Sequence, residues 1–362
     1  DSLPYREAIA EQFRAQSDYY PVSDVQRRGR RYFWTRQDGS RHETVICTAS
    51  NPQTKNPRVI LDPANLPDGG RLSGLSISPD GKLLAYAQSG FHSEWQEWFV
   101  RDVKTGKDLA ERLQWCQVAD LSWTDDSRGF FYNRYPSGST YGACVNLSIY
   151  YHKIGTSQDD DTLIYHNPDE PSLLHRADLS TDGRYLTIYA FFGGTFRVLI
   201  KDLQAPKEGA KLVFDHSGCY WRVIDNDGPL FWVYTNYGAP NFRVLSFDVR
   251  EASEAGMPAL TQVVAESSER LERVSMLDNK FVLSYTRDAC TVLEVRDRRG
   301  QFVHNANLPG RGTVYFFKGR RTERIAPFTF HGFSDPGSAY LYDMRADWSY
   351  PLIAATDRIQ PG

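Results

Sequence analysis

The chain has 362 residues, of which 41% are hydrophobic and 24% charged, a composition typical of a globular protein and not of a disordered one. Its 42 Lys and Arg residues nearly balance its 45 Asp and Glu residues, and the net charge of -3 disfavours nucleic acid or an anionic membrane as a partner. No apolar run approaches the roughly 18 residues that a membrane-spanning helix needs.

The N-terminal segment, residues 1–19, has the pattern of a short amphipathic helix. Its first residues, DSLPYREAIAEQFRAQ, lack the continuous apolar centre of a signal peptide. The five cysteines are scattered, odd in number and never paired as CxxC, which argues against a disulfide framework or a zinc site. We therefore expect a chain of the reducing cytoplasm that binds no metal and no cofactor.

A turn followed by a β-rich run recurs seven times along the chain. The first two copies are RRGRRYFW and SPDGKLLAY, in which apolar residues alternate with others after the turn. Gly and Asn tolerate the positive φ angles that tight hairpin turns require. Successive turns lie 40 to 56 residues apart, close to the spacing of propeller blades. The turn residues are Gly29, Gly81, Ser127, Gly183, Gly228, Asn279 and Gly319.

A second alternating run follows the first one in every copy. It is HETVICTA in the first copy and EWFVRDVKTGK in the second, so two strands per repeat are predicted directly. A small sheet of this kind covers both of its faces only by stacking on its neighbours in a ring. We therefore predict an all-β fold, a seven-bladed β-propeller over residues 20–350, with the short N-terminal helix before it and a C-terminal tail, residues 351–362, after it.

Several longer segments share one family resemblance. They are SPDGKLLAYAQSGFHSEW, LSWTDDSRGFFYNRYP, LSTDGRYLTIY, TNYGAPNFRVLSFDV and FTFHGFSDPGSAYLYDM. In this order they resemble the seven-bladed propeller of the prolyl oligopeptidases, and the resemblance covers nearly the whole chain. In that family of serine peptidases the propeller covers the active site of an α/β-hydrolase domain, so that only short peptides reach the nucleophile.

The resemblance also implies that the catalytic half of such an enzyme is not in this chain. The serine of an α/β-hydrolase lies in a G-x-S-x-G motif, and the 362 residues contain none. The last residues, LIAATDRIQPG, come about where a chain of that family would leave its last blade. We therefore assign no catalytic residue to the chain, and whether it acts as an enzyme stays open.

The family's substrate-facing rim provides the candidate site residues. Val118 stands where the family usually has Phe, and Phe191 where it often has Arg, so the pocket for a proline peptide is expected to differ. Phe192 is a further candidate for facing a substrate or ligand. It precedes Gly193 and Gly194, a pair that allows a loop to approach a ligand closely.

The segment FHSEW contains two more candidates. Glu94 stands where the family commonly has an Asp that can pair with an Arg of the hydrolase domain, so it is our candidate for an interdomain contact. Trp95 is a candidate for facing the substrate or ligand. For Trp95 and Val118 the alternative interpretation is burial in the core of a blade.

Charged segments elsewhere are interpreted as turns and loops. The motif DNDG, residues 225–228, resembles part of a calcium loop but occupies the repeated turn position and lacks the downstream ligands. The acidic run Asp159, Asp160 and Asp161 is interpreted as a solvated loop. The arginines of residues 27–31 are interpreted as solvated turn residues. No metal site is predicted, because the eight histidines form neither an HExxH motif nor a close pair.

Three functions stay open at this point. In the first, the chain is the propeller of a prolyl-oligopeptidase-like serine peptidase and gates the access of short peptides to an α/β-hydrolase domain, its partner. In the second, a free-standing propeller binds a small apolar ligand in its central funnel, with or without non-hydrolytic catalysis. In the third, the propeller is a scaffold for protein interactions. In each case we expect a monomer.

Overall fold

The computed structural model describes most of the chain. The described residues are 5–16, 22–38, 43–54, 56–66, 69–90, 95–117, 120–139, 145–216, 218–252, 256–315, 317, 319–333, 335 and 337–353. The helix α1 spans Arg6–Gln16, inside the predicted N-terminal segment. Nearly all other regular structure is β-strand.

Within the described residues, 28 strands form seven antiparallel sheets, each made of four strands that are consecutive in the chain. Blades 1 to 3 contain β1 (Val22–Arg28), β2 (Arg31–Asp38), β3 (Glu43–Ala49), β4 (Arg58–Leu61); β5 (Arg71–Ile77), β6 (Leu83–Ser89), β7 (Gln96–Asp102), β8 (Asp108–Cys116); β9 (Leu121–Trp123), β10 (Gly129–Arg134), β11 (Ser148–Lys153) and β12 (Thr162–Tyr165). Blades 4 and 5 contain β13 (Leu174–Leu179), β14 (Tyr185–Phe192), β15 (Thr195–Asp202), β16 (Lys211–Asp215); β17 (Trp221–Asp227), β18 (Leu230–Thr235), β19 (Arg243–Asp248) and β20 (Thr261–Val264). Blades 6 and 7 contain β21 (Leu271–Leu277), β22 (Lys280–Arg287), β23 (Cys290–Arg296), β24 (Phe302–Asn305); β25 (Gly312–Tyr315), β26 (Ile325–Gly332), β27 (Ser338–Asp343) and β28 (Trp348–Ile353).

The predicted all-β, seven-bladed propeller is therefore confirmed. The seven predicted turn residues all lie in the link between the first and second strands of a blade. Six of them adopt a positive φ between 55° and 71°, as tight turns require. The DNDG motif is one of these hairpin turns, at the end of β17. The last strand continues to Ile353, three residues beyond the predicted end of the propeller at residue 350.

The hydrophobic core is divided among the seven blade interfaces. Seven clusters of buried apolar side chains combine residues from neighbouring blades. Between blades 4 and 5, for example, the rings of Phe214 and Trp221 stack with centroids 4.1 Å apart. Each sheet thus has both faces covered by its neighbours, which is the physical reason for a closed ring.

The ring closes where blade 7 meets blade 1, at an interface that we call the seam. Val22, Val25 and Trp34 of blade 1 pack there against Ala339 and Ile353 of blade 7. The sheet of blade 7 consists of β25 to β28 alone, so in the described part of the chain no strand from blade 1 completes it. Apolar side chains therefore provide most of the contact across the seam.

The strand order gives the ring two different rims. Because neighbouring strands are antiparallel, each first strand begins and each fourth strand ends on the same rim, which we call the proximal rim. The ring starts at Val22 and ends at Ile353 on this rim. The opposite, distal rim carries the links between first and second strands. The first strands surround a central channel, since one cavity is lined by residues of blades 1, 2, 3, 4 and 7.

A long link crosses the distal end of this channel. It joins β25 to β26 in blade 7 and is longer than the corresponding link in any other blade. We call its residues 319–324 the distal strap. The Nη1 atom of Arg320 lies 3.2 Å from Oδ1 of Asp125 in blade 3, and Nη1 of Arg321 donates to Oδ1 of Asn279 in blade 6 at 2.7 Å. The strap therefore ties blade 7 to blades on other sides of the channel.

The interpretation of residues 159–161 as a solvated loop is wrong for one residue. Asp159 and Asp160 are exposed in a short 3₁₀ turn. The side chain of Asp161 is fully buried, with Oδ1 at 2.7 Å from Nδ1 of the buried His152. The hydroxyl of Tyr132 donates to Asp161 Oδ2 at 2.6 Å. Neighbouring strands thus supply partners for a carboxylate that the sequence alone presents as part of a charge run.

Two further observations concern the described residues as a whole. In that part of the chain, no helix is both long enough and apolar enough to cross a membrane. No group of three or more His, Cys, Asp or Glu side chains is arranged to hold a metal ion among the same residues.

Candidate functional site

The hairpin between β14 and β15 places two of the predicted residues on the proximal rim. Phe191 and Phe192 end β14, and Gly193 and Gly194 form the turn with φ angles of 58° and 91°. Adjacent residues of a strand point to opposite faces of the sheet. Phe191 is accordingly half-buried and lines a cavity, whereas Phe192 is 58% exposed.

An aromatic wall extends from Phe191 into the neighbouring blade. The ring of Phe191 stacks on Phe196, its partner across the hairpin, with centroids 6.5 Å apart. Phe196 in turn lies 5.9 Å from Tyr220 and 6.1 Å from Tyr189. Blades 4 and 5 therefore share one aromatic surface at the proximal rim.

A cavity of about 470 Å³ opens against this wall, and we call it the rim pocket. Its other lining residues come from the first strands of the two blades: Arg176 and Asp178 from β13, and Trp221 and Arg222 from β17. Its volume is within the range of sites that enclose small ligands, roughly 300–1,000 Å³. The pocket thus has an aromatic side and a charged side.

The charged side carries one paired and one unpaired arginine. Nε of Arg176 lies 2.5 Å from Oδ2 of Asp120, and its Nη2 lies 3.6 Å from Oδ1 of Asp178. Burial raises the pKa of the Asp120 carboxyl to about 6, against the opposing attraction of Arg176. Arg222 is exposed, and no carboxylate oxygen of the described residues lies within 4 Å of its guanidinium. The pocket is therefore suited to a ligand with both an apolar and an anionic or carbonyl group.

Trp95 lies on the same rim but away from the rim pocket. It immediately precedes β7, and its ring makes edge-to-face contacts with Trp115 and Tyr135, each with centroids 5.8 Å apart. Trp115 belongs to blade 2 and Tyr135 follows the second strand of blade 3. Trp95 therefore packs between two blades, and the structure does not bring it together with Phe191.

Val118 and Glu94 lie outside the described residues. Their predicted roles, as a substrate-facing position and as an interdomain contact, stay predictions.

Sequence analysis missed the charged side of the rim pocket. Arg176 and Asp178 alternate along β13, and Arg222 lies one residue into β17. Charged residues at alternate positions of an innermost strand face the channel, since the other face of the strand is packed in the core. The segments LHRADL and YWRVID show this alternation. If they had been recognised as first strands, the alternation would have predicted that Arg176, Asp178 and Arg222 face the channel.

Comparisons with known proteins agree with this architecture. Residues 1–353 match the family model for the prolyl oligopeptidase N-terminal beta-propeller domain. The prolyl endopeptidase of Elizabethkingia meningoseptica is 27% identical over 351 residues, which cover 94% of this chain and 48% of that protein. Prolyl oligopeptidase A of Amanita bisporigera is 27% identical over 407 residues, covering 100% of this chain and 52% of that protein. The chain spans about half the length of these curated relatives.

Solved structures show the same fold. A prolyl endopeptidase structure has a TM-score of 0.82 and 26% identity, covering 98% of this chain and 52% of that one. Apo prolyl oligopeptidase B from Galerina marginata has a TM-score of 0.84 and 24% identity, covering 97% of this chain and 53% of that one. The chain belongs to the family of prolyl oligopeptidase N-terminal β-propeller domains.

Proposed function

We propose that this chain is the gating half of a prolyl-oligopeptidase-like serine peptidase. Its propeller would admit short peptides to an α/β-hydrolase domain that covers the proximal rim, and would keep larger chains out. The observation that carries the proposal is the position of the rim pocket on the rim where the ring begins, at Val22, and ends, at Ile353. A domain joined to either end of the ring, and wide enough to cover this rim, would also cover the pocket between blades 4 and 5.

Exposed aromatic side chains support docking of a second domain on the same rim. Phe192 is 58% exposed, Tyr220 is 42% exposed, and Phe333, in the link after β26, is fully exposed. These side chains lie in blades 4, 5 and 7, so exposed aromatic surface is distributed around this rim, and exposed apolar surface is typical of an interaction site. The proposed partner is the hydrolase domain, joined to a monomeric propeller, and Glu94 is the proposed site of an ion pair with it.

The distal strap supports entry of substrates from the proximal side. Arg320 contacts Asp125 across the distal end of the channel, and Arg321 is held by Asn279. A peptide that enters by the distal end would have to displace the contact between Arg320 and Asp125, which spans the channel. Peptides would therefore reach the rim pocket through the space between the two domains, and opening of that space would control access.

The rim pocket suggests which peptides are favoured. Phe191, Phe196 and Tyr220 provide a flat apolar surface on which a proline or aromatic ring can stack. Arg222, which has no carboxylate within 4 Å among the described residues, provides a guanidinium that can bind a carboxylate or a peptide carbonyl. This charged side makes a short peptide a better ligand than the purely apolar small molecule of the second sequence-based hypothesis.

The test compares two substrates of different size. A hydrolase domain of this family is assayed with a short chromogenic proline peptide and with an unfolded protein, each with and without this propeller attached. We expect the propeller to lower cleavage of the unfolded protein at least ten-fold relative to the short peptide. An unchanged ratio of the two rates would contradict the gating role.

A further inference from the structure

A second cavity lies further toward the distal end of the channel, and its lining begins on β13 at Leu179, directly after Asp178 of the rim pocket. It has a volume of about 190 Å³ and is lined by Arg28, the last residue of β1, and by Arg320 of the distal strap. Hydroxyl groups of Ser76 and Ser122 lie in the same lining. The interpretation of residues 27–31 as solvated turn residues is therefore wrong for Arg28, which ends β1, is half-buried and lines this cavity.

The two arginines differ in their partners. Arg320 is paired, with its Nη1 atom 3.2 Å from Oδ1 of Asp125. For Arg28, no carboxylate oxygen of the described residues lies within 4 Å, and its side chain donates only to the carbonyl of Arg27, at 3.1 Å. Burial, and then the charge of Arg320, lower the pKa of Arg28, against the opposing attraction of the Glu323 and Asp24 carboxylates, and the group stays protonated. Arg28 is thus a partly desolvated cation that attracts Glu323 and Asp24 at a distance but forms no ion pair within 4 Å among the described residues.

The neighbouring surface contains further arginines and the Glu323 carboxylate. A cavity of about 280 Å³ on the other side of Arg28 and Arg320 is lined also by Arg27, Arg324 and Glu323. Arg324 is neutralised by Asp343, to which it donates two hydrogen bonds of 2.7 and 2.6 Å. Glu323 accepts a hydrogen bond from the backbone N–H of Arg320 at 3.0 Å. Arg27 and Arg28 are left without a carboxylate within 4 Å among the described residues.

We propose that the distal end of the channel binds a small oxyanion of the phosphate type between Arg28 and Arg320. A guanidinium group presents its N–H donors in a planar fork that matches two oxygens of such an ion. The hydroxyl of Ser122 accepts a hydrogen bond from the Leu179 N–H at 2.9 Å, so its own proton is available to an anion. This site is separate from the rim pocket and does not depend on the proposed peptidase function.

Asp125 is the residue of this site that competes with an anion. Its carboxylate holds Arg320 from the opposite side of the channel. An oxyanion that binds both arginines would therefore share Arg320 with Asp125 or displace it. Removal of the carboxylate by Asp125→Asn should strengthen anion binding, because Arg320 is then free to turn to the ligand.

The experiment titrates the full chain with inorganic phosphate at constant ionic strength, by calorimetry. We expect saturable binding that Arg28→Gln weakens at least ten-fold. Arg30→Gln is the matched control, because Arg30 is exposed on the same turn and lines neither cavity, and it should leave the Kd unchanged. Asp125→Asn should lower the Kd several-fold, a gain that a misfolded protein cannot produce.

Two additional measurements identify the chemical source of the oxyanion and provide a substitute in case Arg28→Gln does not fold. A phosphoserine peptide is titrated beside inorganic phosphate, and binding of either one through Arg28 supports the site and names its ligand. If Arg28→Gln does not fold, Arg28→Lys keeps the charge but loses the planar fork, and should bind phosphate more weakly. Equal phosphate affinity in the wild type and the foldable Arg28 variant, or no binding of either ligand, would overturn the proposal.

Discussion

Asp120 and Arg176 form an ion pair between blades 3 and 4, with 2.5 Å separating Oδ2 of the carboxylate from Nε of the guanidinium. The pair lies beside the rim pocket, since Arg176 is one of the lining residues. Burial acts on the Asp120 carboxyl more strongly than the attraction of Arg176, and its pKa is raised to about 6. Protonation of Asp120 therefore affects both the stability of the ring and the net charge beside the rim pocket.

This raised pKa predicts a pH-dependent stability. The folded chain holds the proton of Asp120 more tightly than the unfolded chain, in which the pKa of Asp is about 3.9. The contribution of Asp120 to the free energy of unfolding therefore decreases as the pH rises from about 4 to about 6. Compared with Asp120→Asn, the wild type should lose about 2 kcal/mol between pH 4.5 and pH 7.5 in urea unfolding. A difference between the two proteins that is constant with pH would refute this.

The two adjacent phenylalanines of β14 should have separable roles. Phe191 lines the rim pocket and Phe192 is exposed on the other face of the strand. We expect Phe191→Ala to weaken binding of a short proline peptide about ten-fold, the effect of losing one aromatic contact of about 1.4 kcal/mol. Phe192→Ala should change peptide binding less than two-fold and weaken association with the hydrolase domain instead. Fluorescence titration of each variant measures both effects, and equal losses of peptide affinity would contradict the assignment.

The buried carboxylate of Asp161 should be a large contributor to stability. Asp161→Ala removes the partner of both His152 and the Tyr132 hydroxyl inside blade 3. Each buried donor that loses its partner typically costs about 1 to 3 kcal/mol, so we expect a loss of about 2 to 6 kcal/mol for the two donors. Asp160→Ala, one residue earlier and exposed, should cost less than about 0.5 kcal/mol. Guanidinium unfolding of the two variants compares them, and similar losses would show that the network contributes little.

The distal strap should protect neighbouring backbone from hydrogen exchange. The amides of Asp278 and Asn279 donate to carbonyls of the strap, Glu323 O at 2.7 Å and Arg321 O at 2.8 Å. Arg321→Met keeps the length of the side chain but removes its hydrogen bond to Asn279 and its approach to Asp227, at 3.6 Å. We expect these two amides to exchange about ten-fold faster, as local opening becomes easier.

The matched control for this measurement is Arg299→Met. Arg299 is exposed in a neighbouring link of blade 6, and only its backbone makes a hydrogen bond among the described residues. Exchange at Asp278 and Asn279 should stay at the wild-type rate in this control. If Arg321→Met gives the same rates as the control, the strap is held by its backbone and not by the arginine.

The sequence predicted the second and third strands of the blades better than the first and fourth. In β6 and β14, for example, a turn with positive φ precedes a run that is buried on both faces, so the signal is strong. Four of the seven fourth strands have only four residues, and in one of them, β12, the weak alternation carries little information. First strands such as β13 carry charged residues that face the channel. In the sequence alone, a short segment with such residues has the composition of a loop.

For the rim pocket, the sequence identified Phe191 but not its surroundings. Tyr220 and Arg222 come from the next blade, about 30 residues away along the chain, and only the packing of blades 4 and 5 brings them to Phe191. The burial of Asp161 has the same cause, because its partners lie on β10 and β11. Local patterns predicted the elements, whereas the neighbours of each side chain depend on the stacking of blades.

The closure of the ring has a mechanical consequence. Val22 and Ile353, its first and last residues, both lie in the seam, where one backbone hydrogen bond is described, 3.4 Å from Val22 N to Gly337 O. Tension applied at these two points would load the contact between blades 7 and 1 directly. Apolar side chains can be pulled apart one contact at a time. If a strand of blade 1 instead completed the sheet of blade 7, a whole row of backbone hydrogen bonds would have to break together. The interface between blades 7 and 1 is therefore expected to open first when the two ends of the ring are pulled apart.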